Sequence, residues 1–247
     1  YYLIPKQLNT PIYSHKLSMI GFWVISFVYV WTGAHHMLHG PSANWLETVA
    51  SVFSFSLIIP VIAVITNFIG TFASSPKEVR FKGPVPKFLF VGTVYYLLTC
   101  IQGPMQAIPQ LNILLSKNDY IIGHAHMALF GAFSFFALAG VFYVVPKLAN
   151  RPLFDEKLAN KTFWIMTIAS VPFFVSLFIS GHIQGAMWLN PENTFVQTLM
   201  ATKPWHILRA LSGGFILFAY FLFVHNIVMT LLGKSKKNYE ITESSLI

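Results

Sequence analysis

Residues 17–38 read LSMIGFWVISFVYVWTGAHHML, an uncharged run that ends on two adjacent histidines. Wound as an α-helix it is about 33 Å long, enough to cross the ~30 Å hydrocarbon layer of a bilayer. A segment that only had to dissolve in lipid has no use for paired imidazoles. Ionisable groups at such depth are costly and tend to mark sites. His35 and His36 therefore raise the question of what faces this end of the span.

The rest of the chain repeats the pattern. Of 247 residues, 55% are hydrophobic and 10% charged, against roughly 25% charged in a soluble domain. The mean hydropathy is +0.61. Five further runs are long enough to span: 49–73, 88–108, 120–145, 162–187 and 207–232. The expected fold is all-α: a polytopic membrane helix bundle with six spans making a membrane domain over 1–232. A polar cytoplasmic tail is expected over 233–247. The opening YYLIPKQLNTP lacks a Met and a signal-peptide pattern and reads as the tail of a helix, which suggests a fragment or one half of a split subunit. The lone Cys100 excludes an internal disulfide and a C-x-x-C-H haem attachment, and reads as a small core residue.

The net charge of +8 invites a nucleic-acid reading, which the positions of the charges remove. Lys6 and Lys16 precede the first span; Lys77, Arg80, Lys82 and Lys87 lie between the second and third. Lys147, Arg151, Lys157 and Lys161 lie between the fourth and fifth, and Lys234, Lys236 and Lys237 follow the sixth. All these fall on one side, and only Lys117, Lys203 and Arg209 on the other. The positive-inside rule makes the rich side cytoplasmic. No nucleic acid is expected as partner, only the bilayer. Every Asp and Glu lies in a loop or at a helix end, so protons crossing here need hydroxyls, imidazoles and water.

With that orientation, His35, His36, His39, His124, His126, His182 and His206 all fall near the outer ends of four different spans. His124 and His126 project about 200° apart on a helix, so they suit two separate axial positions and not one metal. His35 and His36 stand at a helix end, where a loosened turn lets them converge on one ion. Tyr29 is on nearly the same face as His36, about 10 Å deeper. Imidazoles suit copper and iron, and haem iron commonly takes an axial histidine. His39, His182, His206 and His225 read as satisfied polar groups. Below Tyr29, Ser14, Ser18 and Ser26 draw a hydroxyl stripe along the first span, which Tyr96 and Thr99 of the third can face. Ser and Thr in spanning helices also back-bond to their own turns.

The segments YSHKLSMIGFWVISFVYVWTGAHH, QGPMQAI, GHAHMALFG and LRALSGG, in this order and spacing, resemble the catalytic subunit of haem–copper oxidases, most nearly the cbb3-type cytochrome c oxidases. The resemblance covers almost the whole chain and corresponds to the second half of a twelve-helix subunit. It implies two haems of b type, one low-spin and one high-spin, and one copper ion. His35 and His36 are then copper ligands, His124 the high-spin haem ligand and His126 a low-spin haem ligand. Tyr29 matches the tyrosine that cross-links to a copper histidine and supplies an electron and a proton. Arg209 looks like a haem-propionate partner, and Ser14, Ser18, Tyr96 and Thr99 match a proton path from the cytoplasm.

Two residues depart from the pattern. Gln102 stands where a Glu is more common, and His15 replaces a Tyr in the path. The resemblance implies a terminal respiratory oxidase in a bacterial inner membrane that reduces O2 to water with proton uptake and pumping. Implied partners are the N-terminal half of the fold, carrying one copper histidine and one low-spin haem histidine, and c-type cytochrome subunits or a soluble electron donor. Nitric oxide reductase of the same superfamily, with non-haem iron in place of copper, is the alternative; a non-redox transporter or structural subunit is the other.

Overall fold

The computed structural model describes residues 1–234, so the expected tail lies outside the described residues apart from Gly233 and Lys234. The α-helices are α1 (Leu3–Leu8), α2 (His15–Thr32), α3 (Asn44–Ser56), α4 (Ile58–Ser74), α5 (Lys77–Arg80) and α6 (Pro84–Gln106). They continue with α7 (Pro109–Leu115), α8 (Asp119–His126), α9 (Phe135–Leu148), α10 (Glu156–Trp188) and α11 (Phe195–Leu231). Six helical segments are long and apolar enough to cross a membrane, and no strand occurs among the described residues.

Most spans run past their apolar stretches, because polar residues start the helices and hydropathy does not register them. Asp155 accepts from the amides of Lys157 at 2.8 Å and Leu158 at 3.1 Å, opening α10 before its apolar part. Thr194 and Gln197 form a reciprocal capping box, so α11 begins twelve residues ahead of Ile207.

Three spans are composite. The α2 span closes in a 3₁₀ turn, Gly33–Met37. The second is interrupted at Leu57 between α3 and α4, with Pro60, which carries no N–H, three residues on. The fourth runs α8, then a π-helical stretch Met127–Ser134, then α9.

α10 is the hub. It packs along α11 and against α8, while α6 covers the π-helical stretch and α9, and α4 joins α6 to α2. The core between them is aromatic: the Phe88 ring lies 5.4 Å from Phe135, 5.8 Å from Phe142 and 5.1 Å from Phe163. At the centre the Tyr95 hydroxyl meets Ser170 Oγ at 2.6 Å. By contrast α2 buries only Gly21 and Thr32, and α11 turns Phe215, Phe218 and Phe221 outward.

Glycines set how closely α7 and α8 approach α10. A Cβ on Gly181 would run into the Tyr120 backbone, and one on Gly185 into the Leu114 carbonyl. Gly181→Ala is therefore expected to push the start of α8 outward, costing about 1–3 kcal/mol, the range for overpacking. A lower midpoint of thermal unfolding in detergent would show it, and an unchanged midpoint would refute the contact.

Candidate functional site

The histidine pair sits on the 3₁₀ turn, where the chain is wound more tightly than in α2. Its ring centroids are 4.1 Å apart with the planes inclined at 47°, so the two imidazoles lie side by side. Ser54 of α3 fixes the first ring. The Ser54 hydroxyl gives its only proton to the Ala50 carbonyl at 2.6 Å, so its oxygen must accept from His35 Nδ1–H at 2.8 Å. That assigns the lone pair to His35 Nε2. His39 stays apart: its φ is +60°, its amide donates to Glu47 Oε1 at 3.0 Å and its Nε2 lies 3.1 Å from the Pro109 carbonyl.

On α8 the two other histidines diverge. His124 is half-buried, with Nδ1 3.2 Å from Gln102 Oε1 of α6. His126 donates from Nδ1 to the Ile122 carbonyl at 2.7 Å and rests on Phe173 of α10, ring centroids 5.5 Å apart. In each case an acceptor holds Nδ1–H and leaves Nε2 free to donate to a metal, the usual arrangement for a ligating histidine. His124 stands within electrostatic reach of both His35 and His36. The two histidines of α8 thus turn to different neighbours, His124 to α6 and His126 to α10. Among the described residues no group of three or more His, Cys, Asp or Glu is arranged to hold an ion by itself. Gln102, a departure at the sequence level, has a defined task here as the acceptor behind His124.

Tyr29 lies on the outward side of α2 with 64% of its surface exposed. The 3₁₀ turn, with about 2.0 Å rise per residue, sets His36 slightly farther from it than a regular α-helix would. The hydroxyl stripe below is mostly turned to its own backbone. Ser14 Oγ caps α2 by accepting from Leu17 N at 3.3 Å. Ser18 Oγ donates to the Ser14 carbonyl at 3.2 Å, and Ser26 Oγ to Phe22 at 2.7 Å. Among the described residues no hydrogen bond joins them to Tyr96 or Thr99 of α6, and the buried Thr99 Oγ1 has no partner. His15 is exposed.

The structure adds Asn67 of α4, which is fully buried. Its Oδ1 accepts from Ser14 N at 2.8 Å and its Nδ2 donates to Ser18 Oγ at 3.0 Å. The signal was a lone amide inside VITNFIG, since an unpaired polar group at that depth is costly.

A second polar node occupies the histidine-rich end. Asp119 is at the start of α8, as its sequence position indicates, but its side chain is only 11% exposed. Its Oδ2 accepts from Ser180 Oγ at 2.6 Å and Gln184 Nε2 at 3.1 Å, and meets His206 Nε2 at 2.9 Å. Arg209 Nη1 lies 3.8 Å from Oδ1. Arg209 is thus paired within the chain, a contact that sequence reading did not foresee. His182 lies beside the node, edge-on to Tyr120 at 5.0 Å.

Two histidines stand side by side at the end of one span, and the two histidines of another span turn to different neighbours. The sequence model of the cytochrome c and quinol oxidase polypeptide I family matches residues 1–216. This chain belongs to that family. It is 30% identical over 247 residues to a cbb3-type cytochrome c oxidase subunit of Stutzerimonas stutzeri, covering 97% of this chain and 52% of that one. It is 33% identical over 237 residues to a bacteroid cytochrome c oxidase subunit 1 homologue of Bradyrhizobium diazoefficiens, covering 93% and 43%. With the Agrobacterium tumefaciens cytochrome c oxidase subunit 1 homologue the identity is 30% over 244 residues, covering 96% and 45%. A solved haem–copper terminal oxidase dimer shares the fold, with a TM-score of 0.76 at 17% identity over 92% of this chain and 44% of that one. The chain spans about half the length of the curated relatives it matches.

Proposed function

We propose that this chain supplies the second half of the catalytic subunit of a terminal respiratory oxidase that reduces O2 to water. The observation that carries the reading is the divergence of the two histidines of α8: His124 holds its Nδ1 against Gln102 of α6, whereas His126 rests on Phe173 of α10, each with Nε2 left over. His35 and His36 would hold copper, His124 the high-spin haem and His126 the low-spin haem. When bound, these groups carry electrons to oxygen and bring it to water.

The protein's own contribution is positional. Gln102 and Ser54 hold the Nδ1–H of His124 and His35, fixing tautomer and ring direction. The Tyr29 hydroxyl stores a proton about two helical turns from the pair. Protons would reach it from the basic, cytoplasmic end past Ser14, His15, Asn67 and Ser18, then Tyr96 and Thr99. Water has to bridge the steps, since the hydroxyls do not contact one another in series. Arg209 would address a haem propionate from the outer end. The missing histidines would come from the N-terminal half of the fold, and electrons from c-type cytochrome subunits or a soluble donor. The setting is a bacterial inner membrane with the tail cytoplasmic.

The test is a reduced-minus-oxidised spectrum with metal analysis on the complex purified with its partners. Copper and haem in about a one-to-two ratio, with b-type bands, is expected. Non-haem iron in place of copper would make the protein a nitric oxide reductase. Absence of haem absorption would leave a transporter or structural subunit.

A further inference from the structure

We propose that Asp119 is a positioning residue for the low-spin haem: its carboxylate aims Arg209, braces the start of α8, and so sets that haem's reduction potential. The inference rests on the reading of His126 as a haem ligand. Asp119 and His126 are seven residues apart, which places them on nearly the same face of α8 with about 10 Å of rise between them. Both face α10. Asp119 meets Ser180 and Gln184, and His126 meets Phe173, which is likewise seven residues before Ser180. The carboxylate therefore lies about two turns from His126 on the α10 side of α8.

Its contacts are those of an anion held in place. Oδ2 receives the Ser180 hydroxyl and the Gln184 amide and meets His206, and the Gln184 oxygen accepts the Asp119 amide at 2.8 Å. Three helices, α8, α10 and α11, meet at this one group. A node that only joined helices needs no ion, because an apolar replacement of a buried ion pair is often neutral or stabilising. Arg209 is held by charge and not by a hydrogen bond, at 3.8 Å with its side chain 38% exposed. Among the described residues its other donors have no hydrogen-bond partner, which leaves them for a second anion such as a propionate. Asp119 thus fixes the guanidinium while sharing its charge.

The signs follow from electrostatics. Removing a negative charge near a haem stabilises the reduced iron less poorly and raises the potential, and a freed Arg209 turning to the propionate adds in the same direction. Removing Arg209 leaves Asp119 uncompensated and lowers it. At about 10 Å and an effective dielectric constant near 20, one unit charge changes the reduction equilibrium roughly tenfold, ~59 mV for one electron.

The experiment is redox potentiometry of the purified complex, followed in the haem bands, for Asp119→Asn and Arg209→Gln. The low-spin haem potential is expected to rise in the first and fall in the second, with a smaller change at the high-spin haem. Unchanged potentials, or shifts of the same sign, would overturn the positioning role and leave the haem reading intact. If Asp119→Asn does not assemble, Arg209→Gln decides alone: a fall supports the inference, and no change or a rise overturns it. A wild-type complex without haem removes the haem reading and this inference with it.

Discussion

In the complex assembled with its partners, His124→Ala is expected to lose the high-spin haem and more than about 100-fold of its oxygen-reducing turnover. The magnitude has a lower bound in general experience with metal sites, where loss of an outer partner alone costs 10–100-fold. His124 is more than an outer partner in this reading, because its Nδ1 is already engaged at 3.2 Å by Gln102 and its Nε2 is the atom left to bind iron. The side chain is half-buried, so truncation also opens a space at that end of the bundle. Gln102→Leu removes only the acceptor and should fall short of that loss. The measurement is haem content by the pyridine method beside turnover: half the haem should be absent in His124→Ala. Full haem content with full turnover would place the high-spin haem elsewhere.

His124 also shows how far sequence alone reaches. The divergence of His124 and His126 follows from their spacing alone, because about 100° per residue is a property of the helix and not of its surroundings. The six spans were legible for a similar reason, since lipid demands long uncharged runs. What was not legible depends on partners distant in the chain. Asp119 looked like an ordinary helix-end acid, and only the packing of α10 and α11 turns it inward against Ser180 and His206. Asn67 escaped because its amide matters through Ser14 and Ser18, about fifty residues away. The π-helical stretch after His126 has no spacing signal in an apolar run, and Ser134 Oγ bonding back to the Leu129 carbonyl at 3.0 Å becomes visible only once the wider turn exists. The hydroxyl stripe of α2 illustrates the reverse. Its period was clear, yet Ser18 and Ser26 spend their protons on their own backbone. Periodicity identified the face but not the direction of the bonds.

Tyr29→Phe is the sharper test of mechanism, because it separates chemistry from assembly. The side chain is 64% exposed in this chain, and among the described residues its hydroxyl makes no hydrogen bond, so loss of one oxygen should leave the stability of this half within about 0.5 kcal/mol. The proposed haem and copper donors His35, His36, His124 and His126 are untouched, and metal content should remain at the wild-type level. Turnover should not. A phenol two turns from the histidine pair is the hydroxyl of α2 nearest that end of the span that is not tied to the backbone, since Ser26 donates to Phe22 and Thr32 Oγ1 donates to the Tyr29 carbonyl at 2.8 Å. With no carboxylate at that depth, nothing else on α2 can take over the proton. Positioned proton donors contribute typically 10²–10⁴-fold, so a loss of at least about 100-fold in oxygen consumption is expected with both metals in place. Oxygen uptake at the wild-type rate in a fully loaded Tyr29→Phe complex would show that the proton comes from elsewhere, and the role assigned to this face of α2 would have to be abandoned.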